Sequence, residues 1–150
     1  MSSNLPAIVA AIKAFSLNYG TKLAKVRDGS TLPTTAEIAD LPMRILSANG
    51  TSGGQVKRLT LGSSPVLNFR WQIVDILLGQ QVGISKGMQS QSDAMYTYAA
   101  NYADAVRALV TNQYQIEDVS IQTGPLEWPA ESGNMYYAVR CEFIVKEIIQ

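Results

Sequence analysis

The chain has 150 residues, 47% of them apolar and 16% charged, which suits one globular domain that buries most of its unfolded surface in a single core. Its 12 basic and 12 acidic residues cancel, so no net field draws it to nucleic acid or to an anionic membrane. Histidine is absent, which removes Ser-His-Asp and Cys-His catalysis and nearly every zinc site, and one cysteine cannot form an intrachain disulfide.

Leu5, Ile8, Val9, Ile12, Phe15 and Tyr19 recur at three-and-four spacing and predict a first helix. Ser3 or Asn4 can cap it, Pro6 is tolerated in its first turn, and it stops near Asn18 to Gly20. Short strands are expected at Leu23 to Arg27 and Met43 to Ser47, separated by a proline- and threonine-bearing surface loop. Asn49 to Gln55, Asn-Gly-Thr-Ser-Gly-Gly-Gln, reads as a flexible loop or hairpin tip. A strand begins at Lys57 and breaks at Gly62 to Pro65, and a long strand follows from Val66 to Leu78. In it Phe69, Trp71, Ile73 and Asp75 share one face, and Asn68, Arg70, Gln72 and Val74 the other. The apolar run at its end implies burial on both faces or a bulge.

Gly79 to Gln91 is expected to be a polar loop. Met95, Tyr98, Ala99, Tyr102, Val106 and Leu109 then form the clearest helical stripe of the chain, with Ser92 or Asp93 as its cap. A strand is expected at Ile116 to Gln122, a rigid exposed connection at Gly124 to Pro129, and a last strand at Tyr136 to Lys146. There Tyr137, Val139, Cys141, Phe143 and Val145 alternate with Arg140, Glu142 and Lys146, the mark of a strand with one buried face. The expected fold is a single α+β domain over residues 1–150, with a mixed, largely antiparallel sheet of five to six strands. Two main helices pack on one face, and flexible loops lie near 30–42, 49–55 and 79–91. The N-terminus has no basic segment ahead of an apolar run, and nothing approaches the roughly 18 apolar residues of a membrane span. A soluble protein made in the cytosol, without membrane contact, is the expectation.

No motif carries catalysis. The acids at Asp28, Glu37, Asp40, Glu117 and Asp118 show no convergent spacing, and Gly50 to Lys57 lacks the Gly-x-x-x-x-Gly-Lys-Ser/Thr phosphate loop. Tyr98 and Tyr102 belong to the core stripe rather than to a nucleic-acid stacking surface, and Cys141 is expected to be a small buried hydrophobe. Charge is nevertheless segregated. Lys13, Lys22, Lys25 and Arg27 precede the first acid, and between Arg107 and Arg140 stand Glu117, Asp118, Glu127 and Glu131 with no base among them. These read either as solvated surface or as opposite patches that meet across a head-to-tail subunit contact. The candidate interface residues are Lys22, Lys25 and Arg27 on one side, and Glu117, Asp118 and Glu127 on the other. Trp128 is a candidate anchor, or else folds onto its own sheet, and Gly53 and Gly54 are candidates for a partner-contacting loop.

The order of a first helix, a sheet with long loops, an amphipathic tyrosine- and alanine-rich helix and a closing pair of strands resembles the tail terminator proteins of long-tailed bacteriophages. Their last strand has a Tyr-x-Val-x-Phe-x-Val-like texture, whose counterpart here is Tyr137-Ala-Val-Arg-Cys-Glu-Phe-Ile-Val. The likeness covers most of the chain and is strongest after residue 90. It implies a non-enzymatic virion protein of the tail neck, assembled in the host cytoplasm without cofactor or metal. A hexameric ring would cap the tail tube protein, end its polymerisation and present a surface to the head-to-tail connector protein. Genome DNA would pass through without sequence-specific binding, and loops 49–55 and 79–91 would order against the tube or connector. Two alternatives stand beside it: a connector or other neck ring subunit, and a small α+β ligand-binding or enzymatic domain using Asp75 or Glu142.

Overall fold

The computed structural model describes residues 5–28, 40–57, 66–83, 88–109 and 114–149. In chain order these form α1 (Leu5–Lys13), β1 (Asn18–Tyr19), β2 (Lys22–Leu23), β3 (Lys25–Asp28), β4 (Met43–Lys57), β5 (Val66–Gln81), α2 (Met88–Ala108), β6 (Tyr114–Glu127) and β7 (Met135–Ile149). Five strands make one sheet in the order β3-β4-β5-β7-β6, and β1 and β2 make a small separate hairpin. Only β3 and β4 run parallel; the other neighbours are antiparallel. The fold is α+β, with a mixed, largely antiparallel sheet and both helices on one face.

Alternation in β7 organises the core. Tyr137, Val139, Cys141, Phe143 and Val145 are all buried on the helix-bearing face. They meet Met95, Tyr98, Tyr102 and Val106 of α2, and Ile8 and Ile12 of α1, in one continuous apolar cluster. The three-and-four spacing of α2 and the two-residue period of β7 are thus complementary surfaces of the same core. A second cluster occupies one end of the opposite face, where Met43, Ile45, Leu78, Tyr136 and Ala138 pack with Leu41, Ile76, Leu126 and Trp128.

Several elements run longer than expected. Asn49 to Gln55 lies within β4, paired with β5, and Ser52 to Gly54 form an irregularity between the Thr51 and Gln55 pairs. Glycine suits an irregular bulge as well as a free loop, and strand pairing on either side satisfies backbone polar groups. The expected connection at Gly124 to Glu127 is strand, because an edge strand can hold Pro125. Instead of one strand at Leu23 to Arg27 there are two, broken at Ala24, whose N–H donates to the Leu17 carbonyl at 2.8 Å. Of the expected loop at 79–91, β5 takes residues to Gln81, and α2 begins at Met88, ahead of the expected cap at Ser92 or Asp93. The proposed cap of α1, residues 30–39 of the first loop and residues 58–61 of a strand lie outside the described residues.

The end of β5 combines the two arrangements expected of it. Leu77 and Leu78 are buried on opposite faces, and a bulge follows between the Leu78 and Gln80 pairs. The bulge returns Gln80 to the helix-bearing face, where the Gln91 amide donates to its oxygen at 2.8 Å, and Tyr19 donates to Gln91 at 2.7 Å. This chain holds the first turn of α2 against the sheet. Gly79 makes it feasible, since a Cβ there would lie 2.5 Å from Cζ of the Tyr19 ring. Gly79→Ala should therefore lower the unfolding free energy by about 1–3 kcal/mol, and Tyr19→Leu in the same chain should recover part of the loss. Urea melts of the single and double variants measure this; an unchanged midpoint for Gly79→Ala would show that the ring has room to move.

Candidate subunit interface

The carboxylates available for chemistry are placed apart. Asp75 pairs with Cys141 across the ladder and faces the helices, whereas Glu142 pairs with Val74 and faces the other side of the sheet. Two acids on opposite faces cannot share a substrate. Glu142 accepts a hydrogen bond from the Gln72 amide and lies 3.4 Å from Arg140, on the polar part of the outer face.

Asp75 belongs to a closed polar joint. Its Oδ2 receives Arg44 Nη2 at 2.5 Å, Arg44 Nε at 3.2 Å and the Tyr102 hydroxyl at 2.9 Å. The same guanidinium donates to the carbonyls of Ile12 at 3.0 Å and Phe15 at 3.3 Å, at and just beyond the C-terminal end of α1. Helix C-termini leave carbonyls unpaired and carry partial negative charge, so a cation there satisfies both needs. The Phe15 and Tyr102 rings each lie 5.8 Å from the guanidinium carbon, and the two rings meet edge to face. Burial pushes the Asp75 carboxyl upward, and Arg44 and Tyr102 pull it back. For Arg44 burial acts downward, but the facing carboxylate holds the guanidinium above its ordinary value. Asp75 Oδ1 and the Tyr98 hydroxyl have no hydrogen-bond partner among the described residues. Nor does any group of three or more His, Cys, Asp or Glu side chains there suit a metal ion. No described helix is long and apolar enough to cross a membrane.

The charged sequence candidates fall on the two borders of the five-stranded sheet. Lys22 lies on β2 and Lys25 and Arg27 on β3, all exposed, beside one edge of the five-stranded sheet. Glu117, Asp118 and Glu127 lie on β6, the opposite edge. Arg27 is bridged to Asp40 at 3.1 Å and Glu117 to Arg70 at 3.4 Å, while Lys25 and Asp118 are exposed. Asp118 takes a left-handed φ of 52° in a bulge between the Glu117 and Ser120 pairs. Glu127 is partly committed within the chain, its carboxylate accepting the Gly133 N–H at 2.7 Å across the turn into β7. Trp128 is half-buried against the second cluster, the alternative in which it folds onto its own sheet. Gly53 and Gly54 are in the β4 irregularity, beyond the stretch Met43–Leu46 that pairs with β3. Two exposed apolar side chains accompany the charges, Leu23 on β2 at 54% and Val119 on β6 at 47%.

Sequence reading did not single out Ile121, Thr123 or Val26, the residues at the centre of the two edges. The available signal was Pro125, since a proline inside a strand pattern marks an edge. Set against known protein families and curated proteins, the chain matches none.

The buried joint makes two contrasting predictions. Tyr98→Phe removes a hydroxyl without a partner and should be neutral or stabilising by up to about 1–2 kcal/mol. Tyr102→Phe removes a donor to a carboxylate and should cost about 1.5–3 kcal/mol. Chemical denaturation separates them, and equal losses would show that the Tyr98 hydroxyl is satisfied. The buried acids also set a pH dependence. Burial raises Tyr19 from 10.0 to about 12, and Tyr98, Tyr102 and the Cys141 thiol also rise above their ordinary values. The folded chain then keeps protons that the unfolded chain releases, so stability is full below about pH 9 and is lost as pH rises towards 12. Denaturant melts over that range should show a fall steeper than one proton per molecule; a flat profile would place these groups in water.

Proposed function

We propose that the protein is a structural subunit of a phage tail neck, a tail terminator whose copies join head to tail into a ring that caps the tail tube. The observation that supports this reading most is the separation of charge onto the two opposite edges of one sheet. A patch that complements a different patch on the same chain makes heterologous contacts, and such contacts close into a ring when the rotation between copies permits. A two-fold dimer, by contrast, would set like charges against each other at either edge. The strand directions agree with the head-to-tail arrangement. With β3 and β4 running one way, β5 reverses, β7 reverses again and β6 opposes β3. Copies placed side by side therefore bring β6 of one against β3 of the next in antiparallel orientation.

The resemblance to tail terminators adds the partners. The strand that carries it, Tyr137 to Val145, is an interior strand that supplies five side chains to the core, so the likeness lies in the frame of the fold rather than in a variable loop. Opposite placement of Asp75 and Glu142 weighs against an enzyme that would use the two together.

Lys25→Glu tests the charge contact, since Lys25 is exposed and its loss disturbs no core group. At low ionic strength the variant should associate about tenfold or more weakly than the parent, and the gap should narrow as salt screens both. Sedimentation velocity reads this directly, and identical behaviour at low salt would remove the electrostatic contact. Capping is tested by polymerising tail tube protein with the purified chain present. A terminator leaves short, closed tubes by electron microscopy; binding to connector with no effect on tube length would favour the connector alternative.

A further inference from the structure

We infer that the contact between copies is a continuation of the sheet, with the Ile121–Thr123 segment of β6 hydrogen-bonded, backbone to backbone, to Val26–Asp28 of β3 in a second copy. This rests on the head-to-tail reading above and adds the surface, the register and the bonds. The phase of each edge follows from a single backbone hydrogen bond at its end. Trp128 N–H donates to the Asn134 carbonyl at 3.0 Å, so Trp128 faces β7. Backbone groups alternate along an antiparallel strand, so Leu126, Gly124, Gln122 and Ser120 also face β7, and Glu127, Pro125, Thr123 and Ile121 face away. Pro125 supports this phase independently, because the residue without an N–H falls where β7 needs no donor. On the far edge, Lys25 N–H donates to the Pro42 carbonyl at 3.1 Å and so faces β4, which turns Val26 and Asp28 outward. Ala24 N–H is already used by Leu17, so the open part of this edge begins at Val26.

Both edges are bounded to the same short length. On β6 the bulge at Asp118 and Val119 interrupts one side and the donorless Pro125 the other. Between them Ile121 and Thr123 offer outward N–H and C=O groups that no described strand takes up. On β3, a strand of four residues, Val26 and Asp28 offer the same. Antiparallel pairing of Val26 with Thr123 and of Asp28 with Ile121 satisfies every one of these groups reciprocally. Moving the register by two residues puts Val26 against Pro125, which has no donor, or Asp28 against the bulge.

The side chains agree with this register. One row of the sheet runs Val26, Arg44, Leu77, Val139, Thr123, and the next but one runs Asp28, Leu46, Asp75, Cys141, Ile121. Each row begins and ends on the paired residues, so the helix-bearing face of one copy continues as the helix-bearing face of the next. There is no offset along the strands. Repetition about an axis parallel to them therefore turns without climbing, as a closed ring requires. Charge favours the same partner: β6 carries Glu117, Asp118 and Glu127 with no Lys or Arg, and β3 carries Lys25 and Arg27 against one acid, Asp28.

Two variants test the pairing by size-exclusion chromatography with light scattering. Thr123→Pro removes an outward N–H, a change that an edge strand accommodates, and should leave a folded chain by circular dichroism with association weakened about tenfold or more. The second variant joins Arg27→Cys with Gln122→Cys, exposed positions that become neighbours in a non-hydrogen-bonded pair, where Cα atoms lie about 4.5 Å apart, within disulfide reach. Oxidation should give a covalent ladder of multimers from the double variant and none from either single one, since Cys141 is buried. If Thr123→Pro does not fold, the cross-link alone decides. Unaltered association of folded Thr123→Pro, or an assembled oligomer that yields no ladder, overturns the sheet continuation and leaves the ring standing. A parent chain that is monomeric at every concentration overturns both.

Discussion

The buried contact between Arg44 and Asp75 fixes the relation of every layer in this molecule. Arg44 comes from β4 and Asp75 from β5, and through them the pair reaches α1 by the Ile12 and Phe15 carbonyls and α2 by the Tyr102 hydroxyl. Both side chains are almost wholly withdrawn from water, Arg44 at 0% and Asp75 at 1% exposure. Removing either partner alone leaves an uncompensated buried charge, which costs about 3–5 kcal/mol, whereas a matched apolar pair of similar volume costs far less. The contact is thus weak as a source of net stability and strong as a specification. It ties both helices to one face of the sheet, while the opposite face buries the smaller cluster around Met43, Leu78 and Tyr136 at one end.

The two borders of the sheet, β3 and β6, lie outside this joint. A sheet that ends in water exposes unpaired backbone groups, and natural proteins blunt such edges with bulges, prolines and charge. All three devices occur on β6: the Asp118 bulge, Pro125 and the acids. They stop short of closing it. An open stretch remains between them, matched in length by β3 and opposite to it in charge. Blunting the ends of an edge while leaving its middle open restricts pairing to one partner in one register, which is the specificity a ring subunit requires.

The legible parts of the fold were those with a local period. The α2 stripe from Met95 to Val106 and the alternation of β7 need only the sequence around them, and both core faces followed, including the burial of Cys141. The apolar run at the end of β5 was legible as burial on both faces or a bulge, and both occur, since Leu77 and Leu78 are buried on opposite faces and the bulge follows Leu78. Composition misled at Asn49 to Gln55, where the same glycines serve a free loop or a bulged strand and only the pairing with β5 distinguishes them. The Arg44 and Asp75 contact was hidden because its partners stand 31 residues apart and no local pattern links them. Charge segregation picked out β3 and β6, which the structure places at the two edges of the sheet, but not Val26, Ile121 and Thr123, whose open groups are backbone and carry no side-chain signature.

The central claim is a closed ring built by head-to-tail contacts, and native mass spectrometry over a dilution series tests it most directly. The account predicts one discrete multiple of the 16.3 kDa chain, a hexamer, that dissociates towards monomer without a ladder of larger species. Monomer at all concentrations, or an open-ended series of growing oligomers, would contradict it.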